Sequence, residues 1–208
     1  LRHIDDRVRR FRGTDPELEF TVDRGVLSVL QARMAQTERH EEVSTFDEPG
    51  EPDVRGMGIR GGAFRGLVAF DDEDIAALSE RAGSAEDVDG VLLVLENPTP
   101  GDIPMILTAG GLLTARGGST CHAAVAINAF EEGSFCAVLS APGLRLDATE
   151  KKGVLHDADG EPAHTFGVGD RLSIHGQSGE VYVGTRKVKD APAARRTLAE
   201  PEEVAAAE

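Results

Sequence analysis

Five consecutive apolar residues, Val91–Leu95 (VLLVL), set the strongest constraint on what this chain folds into. An apolar run of strand length without alternation suits a strand covered on both faces, as in the parallel layer of an α/β protein. The flanking segments fit such a layer. Residues 66–70 (GLVAF) read as another strand, and Asp71–Asp74 (DDED) then precede Ile75–Leu78, placing carboxylates near a helix N-terminus where the dipole favours them. After Leu95 come a turn at 97–101 (NPTPG), a short helix at 102–107 and a strand at 110–115. Arg116–Ser119 (RGGS) breaks that strand, and 120–130 (TCHAAVAINAF) reads as a helix of about three turns on propensity grounds. Beyond it, 135–139 and 153–156 are strand-like, and 171–175 and 180–183 flank a turn at 176–179.

The N-terminal part reads differently. Apolar residues at 1, 4, 8 and 11 predict a short amphipathic helix, and 18–22 and 26–30 predict a hairpin around the turn at 23–25. Residues 38–55 are acidic, contain Pro49 and Pro52, show no periodicity and read as a linker. The glycines at 56, 58, 61 and 62 read as an irregular entrance to the second region, and 189–208 as an Ala-, Glu- and Pro-rich tail or linker. With 37 acidic against 22 basic side chains and a net charge of -15, the chain is not expected to bind nucleic acid or anionic membranes. No apolar run approaches the ~20 residues needed to cross a bilayer, and a soluble, cytoplasmic protein is expected. Cys121 and Cys136 make no disulfide framework and no zinc-ligand pair, and no metal site is expected.

The chemistry concentrates in 114–125 (TARGGSTCHAAV). Gly117 and Gly118 let the backbone turn tightly, and the helix that follows leaves N–H groups unpaired at an end with positive dipole. Such an end holds phosphate. His122 in its first turn is the candidate phosphoryl carrier, because a neutral imidazole is available near pH 7 and can attack phosphorus. Thr120 and Ser119 supply hydroxyls, Arg116 a charged donor, and the small Ala123 and Ala124 leave the approach open. Cys121 does not form a catalytic pair with His122, since adjacent helical residues diverge by about 100°. The other histidines, His3, His40, His156, His164 and His175, read as surface residues without metal-ligand spacing.

Four ordered blocks carry a family resemblance: 97–103 (NPTPGDI), 111–124 (GLLTARGGSTCHAA), 169–174 (GDRLSI) and 178–184 (SGEVYVG). The stretch 92–184 resembles the phosphohistidine domain of the phosphoenolpyruvate (PEP)-utilising enzymes, most of all pyruvate, phosphate dikinase, although Thr-Cys-His is the form common in PEP synthases. Upstream, 18–33 (LEFTVDRGVLSVLQAR) resembles the end of the ATP-grasp domain that precedes it in these enzymes. The resemblance implies an α/β fold. A swivelling β/β/α domain spans 56–188, a C-terminal remnant of the ATP-grasp domain spans 1–37, and the linker 38–55 joins them.

By the same resemblance, His122 takes an ATP-derived phosphoryl group and passes it to pyruvate. Glu19, Gln31 and Arg33 correspond to nucleotide-binding positions. The partners are an ATP-grasp domain and a PEP/pyruvate-binding barrel, in the same longer chain or separate, with Mg and ATP serving the full-length enzyme and none expected to bind this chain alone. Alternatives are a phosphotransferase with a different acceptor, such as an antibiotic, or a non-catalytic binding or regulatory module. The second draws on Asn128, which stands where the family has Arg, and on the lack of a full ATP-grasp domain and barrel in this sequence; the next loop, 130–134 (FEEGS), departs from the family too in being acidic.

Overall fold

In the computed structural model of the chain, the described residues are 16–24, 26–34, 43–119, 121–129, 135–157 and 159–189. The expected helix at 1–11, the loop 130–134, Thr120 and nearly all of the tail at 189–208 lie outside them. The chain divides into two units, Leu1–Glu41 and Glu42–Glu208.

In the first unit, β1 (Pro16–Asp23) and β2 (Val26–Met34) form an antiparallel hairpin with an irregularity between Glu19 and Phe20. Arg24 takes a left-handed φ of 48° at the turn. β1 runs longer at both ends than the sequence suggests, and β2 at its C-terminal end.

The second unit is built on an eight-stranded sheet. In chain order its elements are β3 (Thr45–Phe46), β4 (Val54–Arg55), β5 (Met57–Arg60), β6 (Ala63–Ala69), α1 (Asp72–Ser84), β7 (Gly90–Leu95) and a 3-10 turn (Pro100–Asp102). There follow α2 (Ile103–Thr108), β8 (Gly111–Thr114), α3 (His122–Ala129), β9 (Cys136–Leu139), β10 (Leu144–Asp147), β11 (Lys152–His156), β12 (Pro162–Gly167), β13 (Arg171–His175), β14 (Glu180–Val183) and β15 (Val188–Lys189). The sheet order is β4-β14-β13-β6-β7-β8-β9-β5, with β6 to β9 parallel and the outer pairs antiparallel. β10, β11 and β12 form a separate antiparallel sheet, and β3 pairs with β15.

The central run behaves as its sequence predicts. Leu93 and Val91 of β7 pack with Leu78, Ile106, Ala124 and Ile127 from the three helices, while Leu92 and Val94 face Leu144, Leu155, Phe166 and Leu172 on the other side. Leu92 and Leu93 are both fully buried, and each contributes about 1.5–3 kcal/mol of burial. α1 begins where the acidic cluster predicts: Asp71 caps it, accepting from the Asp74 N–H at 2.9 Å. Lys151 reaches back to Asp71 and to Asp74 (2.9 Å), tying the β10–β11 turn to that helix end. Its hydrogen bond holds the Asp71 carboxyl below the usual range.

Three expectations need correction. Residues 43–55 are not a linker throughout, because β3 pairs with β15 and β4 with β14; the acidic, proline-containing composition hides two-residue strands too short to show a period. The glycine-rich entrance contains β5, and the glycines in and beside that strand allow close backbone approach where the sheet curls almost shut. There Gly56 N–H donates to Gly179 O at 2.8 Å and Gly176 N–H to Gly62 O at 3.0 Å. β10 and β12 also escape the sequence pattern: Leu144–Asp147 alternates over only four residues, and Pro162–Gly167 does not alternate.

His175 is the third correction: it is buried, 7% exposed, edge-on to Phe46 with ring centroids 6.1 Å apart. Ser178 N–H donates to its Nδ1 at 3.2 Å, which requires the ring nitrogen unprotonated. Burial lowers its pKa, against opposing pulls from Glu180 and the Ser44 backbone. A histidine held neutral stabilises the fold above the unfolded-state pKa of ~6.5; below it the unfolded chain binds the proton first, and stability falls with pH towards the lowered native value. Urea midpoints measured from pH 7.5 down to 5 therefore decline, and His175→Gln flattens that part of the decline. Equal slopes in the two proteins disprove the assignment.

Candidate functional site

The candidate site lies where β7, β8 and β9 end, at the carboxyl edge of the parallel strands, the usual place for ligands in such sheets. Thr114, the last residue of β8, is fully buried and organises the turn that leaves it. Its Oγ1 donates to Arg116 O at 2.6 Å and accepts from Ser140 N–H at 3.2 Å, while its carbonyl accepts from Ala141 N–H at 2.9 Å. On the other side Ala115 N–H donates to Leu95 O and Arg116 N–H to Glu96 O, at 3.1 and 2.8 Å. The turn is thus stitched to both neighbouring strand exits. Sequence reasoning missed this role, whose signal is a hydroxyl closing an otherwise apolar strand.

Gly117 follows with φ of +120°, a conformation that L side chains rarely adopt, and Gly118 accepts from Cys121 N–H at 3.0 Å. Val125 N–H donates to Cys121 O at 3.1 Å, which makes Cys121 the entry residue and His122 the first residue of α3. The N–H groups of His122, Ala123 and Ala124 lie ahead of the intrahelical ladder. The His122 side chain is exposed. Ala123 and Ala124 do not line the approach: they are buried against the sheet with Ile127, so they seat the helix instead.

The block 97–103 sits beside this helix. Thr99 N–H and Oγ1 both donate to Asp102 Oδ2, at 2.7 and 2.8 Å, fixing the 3-10 turn that packs next to α3. A side chain added at Gly117 would meet Pro98 at 3.8 Å, so the two loops are in contact distance.

Of the predicted site residues, Arg116, Gly117, Gly118, Ser119 and His122 occupy one continuous turn; Thr120 is outside the described residues. Arg116 is highly exposed, and its Nε lies 3.2 Å from Glu96 Oε1, a surface pair of about 0–1 kcal/mol that a stronger anion can displace. Asn128 is exposed. At that end of α3 the guanidinium belongs to Arg60, whose Nη1 donates to Ile127 O at 2.7 Å, a contact between distant segments that no local pattern reveals. Cys136 lies in the core, where burial pushes its thiol well up, so it is an inert packing residue. The upstream candidates fall in the other unit: Glu19 is paired with Gln31 across the hairpin, and Arg33 with Glu17.

Residues 87–179 match the family described as PEP-utilising enzyme, mobile domain. This chain carries a mobile domain of that family. The matched stretch contains the whole turn from Thr114 to His122. The chain is also 36% identical over 133 residues to pyruvate, phosphate dikinase of Entamoeba histolytica, covering 64% of this chain and 13% of that protein. It is 30% identical over 201 residues to that of Giardia intestinalis, covering 81% and 21%, and 31% identical over 130 residues to that of Clostridium symbiosum, covering 62% and 13%. The chain therefore corresponds to between 13% and 21% of the length of these relatives. No described helix is long and apolar enough to cross a membrane.

Proposed function

We propose that this mobile domain is the phosphoryl carrier of a pyruvate, phosphate dikinase-like or PEP synthase-like phosphotransferase, with His122 as the carrying residue. One observation supports it above others: an exposed histidine opens a helix four residues after a Gly-Gly pair, at the carboxyl edge of the sheet's parallel strands. An unprotonated ring nitrogen attacks phosphorus, forming the N–P bond as the bond from phosphorus to the donor's leaving oxygen breaks. The N–P bond then breaks as the enolate oxygen of pyruvate takes the group. Backbone N–H groups at the start of α3, Ser119 and Thr120, and Arg116 released from Glu96 would hold the phosphoryl oxygens.

The donor and acceptor sites belong to partner domains, an ATP-grasp domain and a PEP/pyruvate-binding barrel, and the first unit is read as the end of such an ATP-grasp domain. That hairpin does not suit ATP and Mg by itself. Two strands enclose nothing, and Val22, Val26 and Leu30 on them are exposed, so Glu19, Gln31 and Arg33 need the rest of a nucleotide domain.

The test is to incubate the chain with ATP labelled at both its β- and γ-phosphates, Mg and a dikinase ATP-grasp domain, or with labelled PEP and a dikinase barrel domain. The expected product is a base-stable, acid-labile phosphate that maps to His122. Failure to label with both donors, each shown to be active on its own carrier domain, defeats the proposal.

A further inference from the structure

We propose that Arg60 is a positioning residue for His122, holding the presenting helix by its far end. The inference rests on the carrier reading of His122.

α3 is only eight residues long and buries small side chains, Ala123 and Ala124, with Ile127 as its one large anchor. Two turns of helix are too short to be stable alone, so packing and the treatment of the two ends decide where this rod sits. One end presents His122. At the other, the last carbonyls have no partner within the helix and the dipole is negative. Arg60 meets that end with a charge-assisted bond of 2.7 Å to Ile127 O. Ile127 lies five residues from His122, roughly 7.5 Å along the axis, so a shift at the clamp is carried to the histidine.

The backbone around Arg60 is shaped for this reach. The β5–β9 register slips between Gly58 and Arg60, and such irregularities re-aim a side chain. Gly61 follows at φ +85°, where a Cβ would lie 2.7 Å from Phe135 O. Ile59 packs into the same helix-side core as Ala123 and Ile127, so the strand that carries Arg60 is itself seated under α3. A clamp that spans from the sheet to the helix end differs from a surface ion pair: it fixes the helix along its axis. Phosphoryl transfer needs the attacking nitrogen in line with the breaking bond, and a displacement of about 1 Å from the reactive geometry costs on the order of 10²-fold in rate.

The experiment uses the full chain and a dikinase ATP-grasp domain with labelled ATP and Mg. Wild type, Arg60→Lys, Arg60→Met and Arg60→Ala with or without ethylguanidinium are compared, and amide exchange of residues 123–129 is followed alongside. Arg60→Met is expected to lower the labelling rate at saturating donor domain by tenfold or more. Half-saturation should stay within twofold, and exchange in α3 should quicken while the central strands keep their protection. Arg60→Lys and ethylguanidinium should each restore part of the rate. An unchanged saturating rate, a loss that only follows the unfolded fraction, or unchanged exchange in α3 overturns the role of Arg60. A wild-type chain that takes no label overturns the carrier reading, and the role of Arg60 towards His122 falls with it.

Discussion

Replacing His122 with alanine should abolish the acid-labile label while leaving the fold as stable as before. The side chain is exposed at the first position of α3, so its loss opens no cavity, and a surface change of this kind stays within about 0.5 kcal/mol. Alanine is also the better helix former. Labelling, in contrast, has no substitute imidazole or free thiol close by among the described residues: Cys136 is buried and its thiol raised, and Cys121 packs against the helix-side core. The companion variant Cys121→Ser should keep the label, since serine serves well at a helix entry. Label counts after single-turnover transfer, read beside urea midpoints, separate the cases. Retention of label in His122→Ala would place the phosphate elsewhere, and loss in Cys121→Ser with His122 intact would point to the thiol.

The part of the site that was legible from sequence is the part that is continuous in the chain. Gly117, Gly118 and His122 lie within six residues, and the glycine pair, the alanines and the break after 111–114 all mark a strand-turn-helix, which is what the structure contains. The two-sided burial of Val91–Leu95 was equally readable, because five apolar residues in a row leave neither face of a strand suited to water. What stayed hidden depends on contacts between distant segments. Arg60 and Ile127 are 67 residues apart, and Thr114 and Ser140 are 26 apart. His175 looked like a surface residue because its strand ends beside a turn, yet Phe46, from a stretch read as linker, covers it. Alanines 123 and 124 were legible as small but not as inward-facing, since a helix so rich in alanine shows almost no amphipathic contrast.

Closure of the sheet should prove the most fragile feature of the fold, and Gly176→Ala its most damaging single substitution. A Cβ at Gly176 would lie 1.7 Å from Arg60 O and 2.7 Å from Gly61 O, backbone atoms that no rotamer change can move aside. The β13–β14 turn must then withdraw from β5, breaking the Gly176 N–H bond to Gly62 O and loosening the neighbouring Gly56–Gly179 bond. Overpacking of this kind costs about 3 kcal/mol or more, a large share of the ~5–15 kcal/mol that holds a typical domain folded. Gly83→Ala is the matched control: it lies near the end of α1 with open space around it, and the change should stabilise by about 0.5 kcal/mol. Urea denaturation should therefore move the two midpoints in opposite directions, and a Gly176→Ala midpoint close to wild type refutes the closure argument. The same substitution also carries a functional consequence. Because the obstructed atoms belong to Arg60 and Gly61, any chain that survives the change has its clamp on α3 displaced, and should label His122 more slowly even in its folded fraction.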